Sequence, residues 1–437
     1  MSTKKGLWRW AVASAAVVVT MAGSASARLI NDPGVSTVDP AAIVVYPKIV
    51  VDTDNGIDTV IQLTNTIDSL VGVKCFYVNA NGHCSNDPQQ VCNQENYTSV
   101  CDPGGRCIDG WQETDFRFNL TKRQPLSWSV NLGLPELPLN DTPGRGDPPQ
   151  FNEGSIPPAP ENPFVGELRC IQIDPASDQP IDRNDLKGEA TIVTTESENS
   201  RVDVRKYNGI GIRAIAGAQD GDPNTLNIGG PDAEYYGCPN IYTLDHFFEG
   251  ARVVTHARTV TGTVKSDLTL VPCAADFLNQ ILNPATATIQ FLIYNEFEQR
   301  FSTSTKLTCY RTMHLADIDT RPGPEGDPYS IFSVGTQGTL TGQSRLRAVT
   351  GSGDYDARSV LALLEEDWAS GRCVPQAGDG AAATVMPVPA QTALCRTDSD
   401  CPDSGVCRGV LRSSTTATNV QYLGSQSQGD QIIIPIP

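Results

Sequence analysis

The sequence predicts an all-β protein: two Ig-like or jelly-roll-like β-sandwich domains with disulfide-rich loops and few short helices. Three observations carry that expectation. Apolar residues alternate with polar ones, or run in short β-branched stretches, and most of these end at Gly, Pro, Asn or Asp. The 38 glycines and 31 prolines punctuate the 437 residues as short strands joined by turns require. Thirteen cysteines follow an N-terminal export signal, the pattern of a chain that oxidises outside the cytosol.

The signal comes first. Lys4, Lys5 and Arg9 form a positive n-region, residues 11–21 (AVASAAVVVTM) an apolar core, and Ala25-Ser26-Ala27 a small-x-small cleavage site. Residues 1–27 are therefore expected to be removed, leaving a mature chain from Arg28. The apolar core is too short for a bilayer, which takes ~20 residues. Arg28, not a cysteine, stands directly after the cleavage site, so a lipid anchor is not expected, and no later stretch is apolar enough to span. No membrane insertion is expected after signal removal, and the location implied is secreted or cell envelope.

Whole-chain composition is 32 basic against 50 acidic residues. Losing Lys4, Lys5 and Arg9 with the signal leaves 29 against 50, a net charge of −21. That surface repels nucleic acid and anionic membranes, which excludes both as expected partners.

The first domain is expected over 28–255, with a Cys-rich insert at 84–107. Its strands read at 42–51 (AIVVYPKIVV), 59–65 (TVIQLTN), 71–78 (VGVKCFYV), 115–130 (DFRFNLTKRQPLSWSV) and 165–173 (VGELRCIQI). The proline-rich stretch 143–163 reads as a loop, and 187–254 as extra strands of the same domain or a long connection. The second domain is expected over 256–437, with a Cys-rich segment at 373–407. Its strands read at 267–272, 288–295, 303–310 and 332–349. Residues 359–369 (SVLALLEEDWA) carry the best helical pattern, and 274–282 a weaker one.

The two strand orders suggest an internal duplication. Ile61, Leu63 and Asn65 align with Phe291, Ile293 and Asn295. Cys75-Phe76 aligns with Cys309-Tyr310, and Leu120-Thr121 with Leu340-Thr341. Cys170 has no counterpart, since Ala362 stands nearby.

Two cysteine clusters stand out: Cys84, Cys92, Cys101 and Cys107, then Cys373, Cys395, Cys401 and Cys407. Both end in C-x5-C with Pro and Gly inside to turn the chain. Four cysteines allow three pairings, and spacing does not choose among them. Zinc sites favour C-x2-C spacing, which is absent, so disulfides are expected and a metal is not. Cys75 and Cys170 sit mid-strand, where an inter-sheet bridge is expected. Cys238 and Cys273 flank the domain boundary and are expected to pair across it. Cys309 is left over.

The run DTVIQLTNT…VKCFYVNANGHC, with PFVGELRC, LKGEATIV and the Cys395–Cys407 segment, resembles exported cysteine-containing β-sandwich proteins of myxobacteria and related proteobacteria. The resemblance covers most of the mature chain. It implies an envelope-associated β-sandwich protein and brings no activity or functional residues with it.

Catalytic signatures are absent: no G-x-S-x-G, Walker A, HExxH or CxxC occurs. Gly209-Ile-Gly211-Ile-Arg-Ala214 fits a loose dinucleotide pattern but is followed by further turn residues, so a glycine-rich strand is expected and no cofactor. Asp245-His246-Phe-Phe-Glu249, with His256, offers an acid–base group, although the paired phenylalanines suit a buried element. Asp52, Asp54 and Asp58 surround Gly56 as in a calcium loop. The spacing departs from an EF-hand, with Leu63 at the twelfth position, so an acidic turn is expected. Asp317-Ile-Asp319 and Asp398-Ser-Asp400 are weaker versions. Trp111 and Trp128 read as core or edge residues before a carbohydrate platform.

The function expected from this reading is a non-catalytic structural or binding protein of the extracellular space or cell envelope, its partner an extracellular protein or glycan. The alternatives are a secreted polysaccharide hydrolase with carboxylates placed by the fold, and a calcium-stabilised adhesion module.

Overall fold

Strands with continuous apolar runs need cover on both faces, and this chain supplies it. In the computed structural model, which describes residues 34–92, 100–108, 112–134, 156–196, 201–255, 260–279, 283–322, 328–350, 355–374, 394–395, 401, 406–417 and 429–435, Ile43–Val51, Val71–Asn79 and Phe164–Ile173 are buried along almost their whole length. They form the middle of a six-stranded sheet, ordered Val35–Ser36, Ile210–Ile212, Ile43–Val51, Phe164–Ile173, Val71–Asn79, Gln112–Leu120.

One face of this central sheet packs on a four-stranded sheet ordered Arg201–Asn208, Leu186–Glu196, Ile57–Asn65, Pro125–Ser129. Between them lie Val44, Tyr46, Val73, Tyr77, Phe118 and Trp128. Trp128 donates its indole N–H to the Tyr77 hydroxyl at 2.7 Å, so the largest buried side chain here is satisfied. Here the chain is an all-β sandwich, as its alternation predicts.

The other face is covered by residues from the far end of the chain. Ile43, Val45, Phe76 and Ile171 meet Val271, Phe277, Leu361 and Ile432 in one core. The strand Asp430–Ile433 runs between Thr225–Ile228 and Ala275–Asp276 and seals this layer.

A second pair of sheets follows. Ile241–Phe247, Thr341–Thr350, Ala285–Asn295 and Arg300–Thr308 lie side by side in that order, with Tyr355–Asp356 beside the third. They pack on Val260–Pro272 and Val360–Val374 through Leu244, Leu268, Ile289, Phe291, Phe332 and Leu364. Arg252–Thr255 and Arg311–His314 flank Val260–Pro272, and Val406–Ala417 extends Val360–Val374. The described residues from Gly34 onward form one compact unit.

Charged groups join the two halves. Lys48 pairs with Glu365, which Arg205 also approaches at 3.4 Å. Arg169, fully buried, donates to the carbonyls of Pro272 and Cys273, pairs with Glu167 at 2.9 Å and lies over the Phe277 ring.

Several expectations change. Residues 359–369 are not a helix: Val360–Val374 is a strand hydrogen-bonded on both edges. Its leucines are good helix formers, but two neighbouring ladders and burial on both faces override local propensity. Within 274–282, Ala275–Asp276 is likewise a strand. Helical turns occur at Leu315–Asp317 and Val334–Gln337. Ile241–Phe247 and Arg252–Thr255, assigned by sequence to the first half, pair with strands of the second. The run 115–130 divides at a turn where Arg123 takes a positive φ of 51°.

The proposed duplication meets a divergence. Ile57–Asn65 and Ala285–Asn295 each sit inside a sheet and end in an asparagine whose side chain ties the following turn. Beyond that, Val71–Asn79 crosses to the opposite sheet, whereas Arg300–Thr308 folds back as a hairpin partner in the same one.

Candidate functional site

The five-stranded sheet has an inner face in the core and an outer face open to solvent. Strand alternation decides which side chains reach it. From Ile241–Phe247 come Ile241, Thr243 and Asp245, and from Thr341–Thr350 come Gln343, Arg345 and Arg347. Ala285–Asn295 adds Gln290, Leu292 and Tyr294, and Arg300–Thr308 adds Arg300, Ser302, Ser304 and Lys306.

Register aligns them in rows. Ile241, Arg347, Gln290 and Ser304 lie across one row, and Thr243, Arg345, Leu292 and Ser302 across the next. An open groove of about 960 Å³ runs over these rows, with Asp319 also in its lining. Arg345 and Arg347 are exposed, and the Arg345 guanidinium sits 5.8 Å from the centre of the Tyr294 ring. Gln343 donates to Asp245 at 3.0 Å in the third row. The result is a grid of hydrogen-bonding groups on a rigid sheet, with Leu292 and Ile241 as apolar patches. Such a surface can hold an extended polar ligand by many directed bonds.

Chemistry of the acid–base kind lies elsewhere. His314 is held between Glu249 at 2.9 Å and Asp267 at 3.2 Å, and these carboxylates raise its pKa to about 9 against the effect of burial. His246 is buried with its Nε2 2.8 Å from the Ser344 hydroxyl, and burial lowers its pKa to about 4. This serine–histidine pair is closed to substrate, since both residues are inside the core. Burial, then the neighbouring Asp115, pushes Glu113 up to about 7, and burial raises Asp430 to about 6. These two carboxyls sit on separate sheets, and neither lines the groove.

The sequence candidates are dispersed. Asp245 is exposed on the outer face, His246 points into the core and Glu249 pairs with His314, so the three form no group. His256 and Trp111 lie outside the described residues, as do Asp398 and Asp400. Asp52 caps its own turn through Asn55, where Gly56 takes a φ of 65°. Asp58 accepts from Ser129 and from the Asn131 backbone, so the Asp52 and Asp58 carboxylates serve separate local structures. Gly209–Ala214 contains the strand Ile210–Ile212.

The cysteines are organised. Cys84 pairs with Cys101 and Cys92 with Cys107; Cys373 pairs with Cys401 and Cys395 with Cys407. Both clusters thus join first to third and second to fourth, and each makes its own small core. Segments too small to bury an apolar core are commonly held this way. Three sulfurs of each cluster lie close enough for a metal, but disulfide bonding occupies the thiolates that ligation would need. His83, bonded to Glu161 at 2.8 Å, ties the first cluster to the sandwich.

Cys75 and Cys170 lie directly opposite on neighbouring strands, so their bond is a cross-strand link within the central sheet and not an inter-sheet bridge. Cys238 pairs with Cys273, and Cys309 is a buried thiol. Among the described residues no helix is long and apolar enough to cross a membrane.

Sequence reading missed the groove residues. Part of their signal was present: S-R-L-R-A alternates as half-exposed strands do, whereas S-T-S-T-K is polar throughout and shows no inner face. Only the register shows that the two runs share one face. No protein-family model matches the chain, and no curated protein matches it.

Proposed function

We propose that the protein is a non-catalytic binding protein of the extracellular space or cell envelope, and that the outer groove of the five-stranded sheet takes an extended glycan. The observation that carries this reading is the groove itself, about 960 Å³ of open surface lined by Gln290, Ser302, Ser304, Arg345 and Arg347. Sugar hydroxyls both donate and accept, and rows of amide, hydroxyl and guanidinium groups match that chemistry. Export is supported by the signal-like residues 1–27 and by six disulfides. The shared pairing of the two cysteine clusters supports a duplicated ancestry for those segments. The likeness to myxobacterial envelope proteins points the same way.

The hydrolase reading has less support. Glycoside hydrolysis uses two carboxylates ~5–10 Å apart, and among the described residues the groove lining carries Asp319 as its single carboxylate. A panel of immobilised cell-surface polysaccharides tests the reading, with reducing-end release measured in parallel. The expected result is retention on at least one glycan without release, weakened by Gln290→Ala with Ser302→Ala. Release of reducing ends, or retention indifferent to both substitutions, would overturn it.

A further inference from the structure

The charge of the groove face opposes the charge of the chain. Over the whole sequence acidic residues outnumber basic ones, 50 to 32. On the outward positions of the four long strands the order reverses: Arg300, Lys306, Arg345 and Arg347 face solvent there with Asp245 as the lone carboxylate. Asp245 is engaged by Gln343. Among the described residues, no ion pair takes up any of these four cations.

Arg345 and Arg347 are two apart on one strand, so their Cα atoms are ~6–7 Å apart and their side chains leave the same face. Their cross-strand neighbours are neutral: Thr243 and Leu292 flank Arg345 and Ile241 and Gln290 flank Arg347, with Ser302 and Ser304 one strand further on and Asp319 the carboxylate in the groove lining. The Gln290 amide beside Arg347, and the Ser302 and Ser304 hydroxyls on the next strand, provide further donors on the same face. The Tyr294 ring under Arg345 limits its freedom, which lowers the entropy lost on binding.

We infer that the groove selects an acidic polysaccharide, a glycan strand bearing carboxylates, with Arg345 and Arg347 each receiving one carboxylate. This rests on the glycan-binding reading above. Guanidinium and carboxylate match as planar, two-bond partners. A sugar strand supplies the hydroxyls that Gln290, Ser302 and Ser304 would bond between the charges. A duplex nucleic acid or an anionic membrane is the poorer fit, because a wide polyanionic surface would also meet the acidic remainder of the protein.

The test is calorimetry on the full exported protein with polygalacturonate, its fully methyl-esterified form, dextran and single-stranded DNA. Wild type should bind polygalacturonate best, and Arg345→Gln with Arg347→Gln should weaken it at least about tenfold, the loss of a charge-assisted bond. Arg345→Lys with Arg347→Lys should recover part of that loss, since charge remains without the fork. Lys187→Gln, an exposed residue on the four-stranded sheet, should change nothing. Near-ultraviolet circular dichroism confirms that each variant is folded.

Equal binding of ester and acid, still weakened by Gln290→Ala, would overturn acid selection and leave the glycan reading standing. Retention of none of the polysaccharides would overturn both. Polygalacturonate binding unchanged in the double Gln variant, or DNA bound as tightly as polygalacturonate, would overturn the assignment to this pair and this ligand class.

Discussion

Lys48→Met removes one half of the buried ion pair that joins the two halves of the molecule. Glu365 then keeps a carboxylate that is 3% exposed, with Arg205 at 3.4 Å as its remaining cation. Breaking such a pair costs about 3–5 kcal/mol, because the surviving charge loses its partner without regaining water. Glu365→Met strands Lys48 in the same way and is expected to cost a similar amount. The double variant removes both charges and leaves Arg205, whose side chain is 23% exposed, able to reach solvent. Replacing a whole buried pair by apolar side chains is often neutral, so the double variant should lie within ~2 kcal/mol of wild type. The assay is urea unfolding without reductant, followed by tryptophan fluorescence in all four corners of the cycle. If the losses of the single variants simply add in the double, the charges are not coupled and the account of the junction fails.

Further outcomes follow from single contacts. Cys75→Ala with Cys170→Ala opens a link between residues 95 apart in sequence, worth about 4–5 kcal/mol in the chain-entropy model, and should lower the unfolding midpoint accordingly. His314 has a folded pKa of about 9, above its unfolded value of 6.5, so its contribution is complete below pH 6.5 and is lost as pH rises through 9. Discounted for its partial exposure this is about 1–3 kcal/mol, and His314→Asn should flatten thermal stability between pH 6.5 and 9. His246 behaves oppositely: burial holds it near 4, so stability falls as pH drops from 6.5 towards 4, and His246→Gln should remove that limb of the melting curve. Reduction should open the first cysteine cluster before the sandwiches, exposing cleavage by trypsin after Arg106, with mass spectrometry as readout.

Legibility in the sequence followed the range of the interaction. The strands at Ile43–Val51 and Phe164–Ile173 were readable because β-branched residues between turn signals leave few alternatives. Val360–Val374 was misread because its Leu-Ala-Leu-Leu-Glu-Glu pattern favours helix locally, and only the neighbouring strands on both edges make it a strand. The cross-strand position of Cys75 and Cys170 was hidden for a similar reason. Which strands are neighbours depends on the burial of whole faces, and no local pattern states it. The groove was illegible as a unit, since its residues come from strands beginning at Ile241, Ala285, Arg300 and Thr341.

By itself, then, the amino-acid order determined the all-β class, most strand positions, and the two clusters that each end in C-x5-C. These depend on a period of two and on turn residues, both of which act over a few positions. Tertiary structure alone decided the first-to-third, second-to-fourth pairing within each cluster and the core shared between the halves. It also decided the register that brings Arg345 and Arg347 onto one face with Gln290, Ser302 and Ser304. Each of these joins residues far apart in the chain, and each is settled by burying apolar faces of the sheets together, a condition on the whole molecule and not on any segment of it.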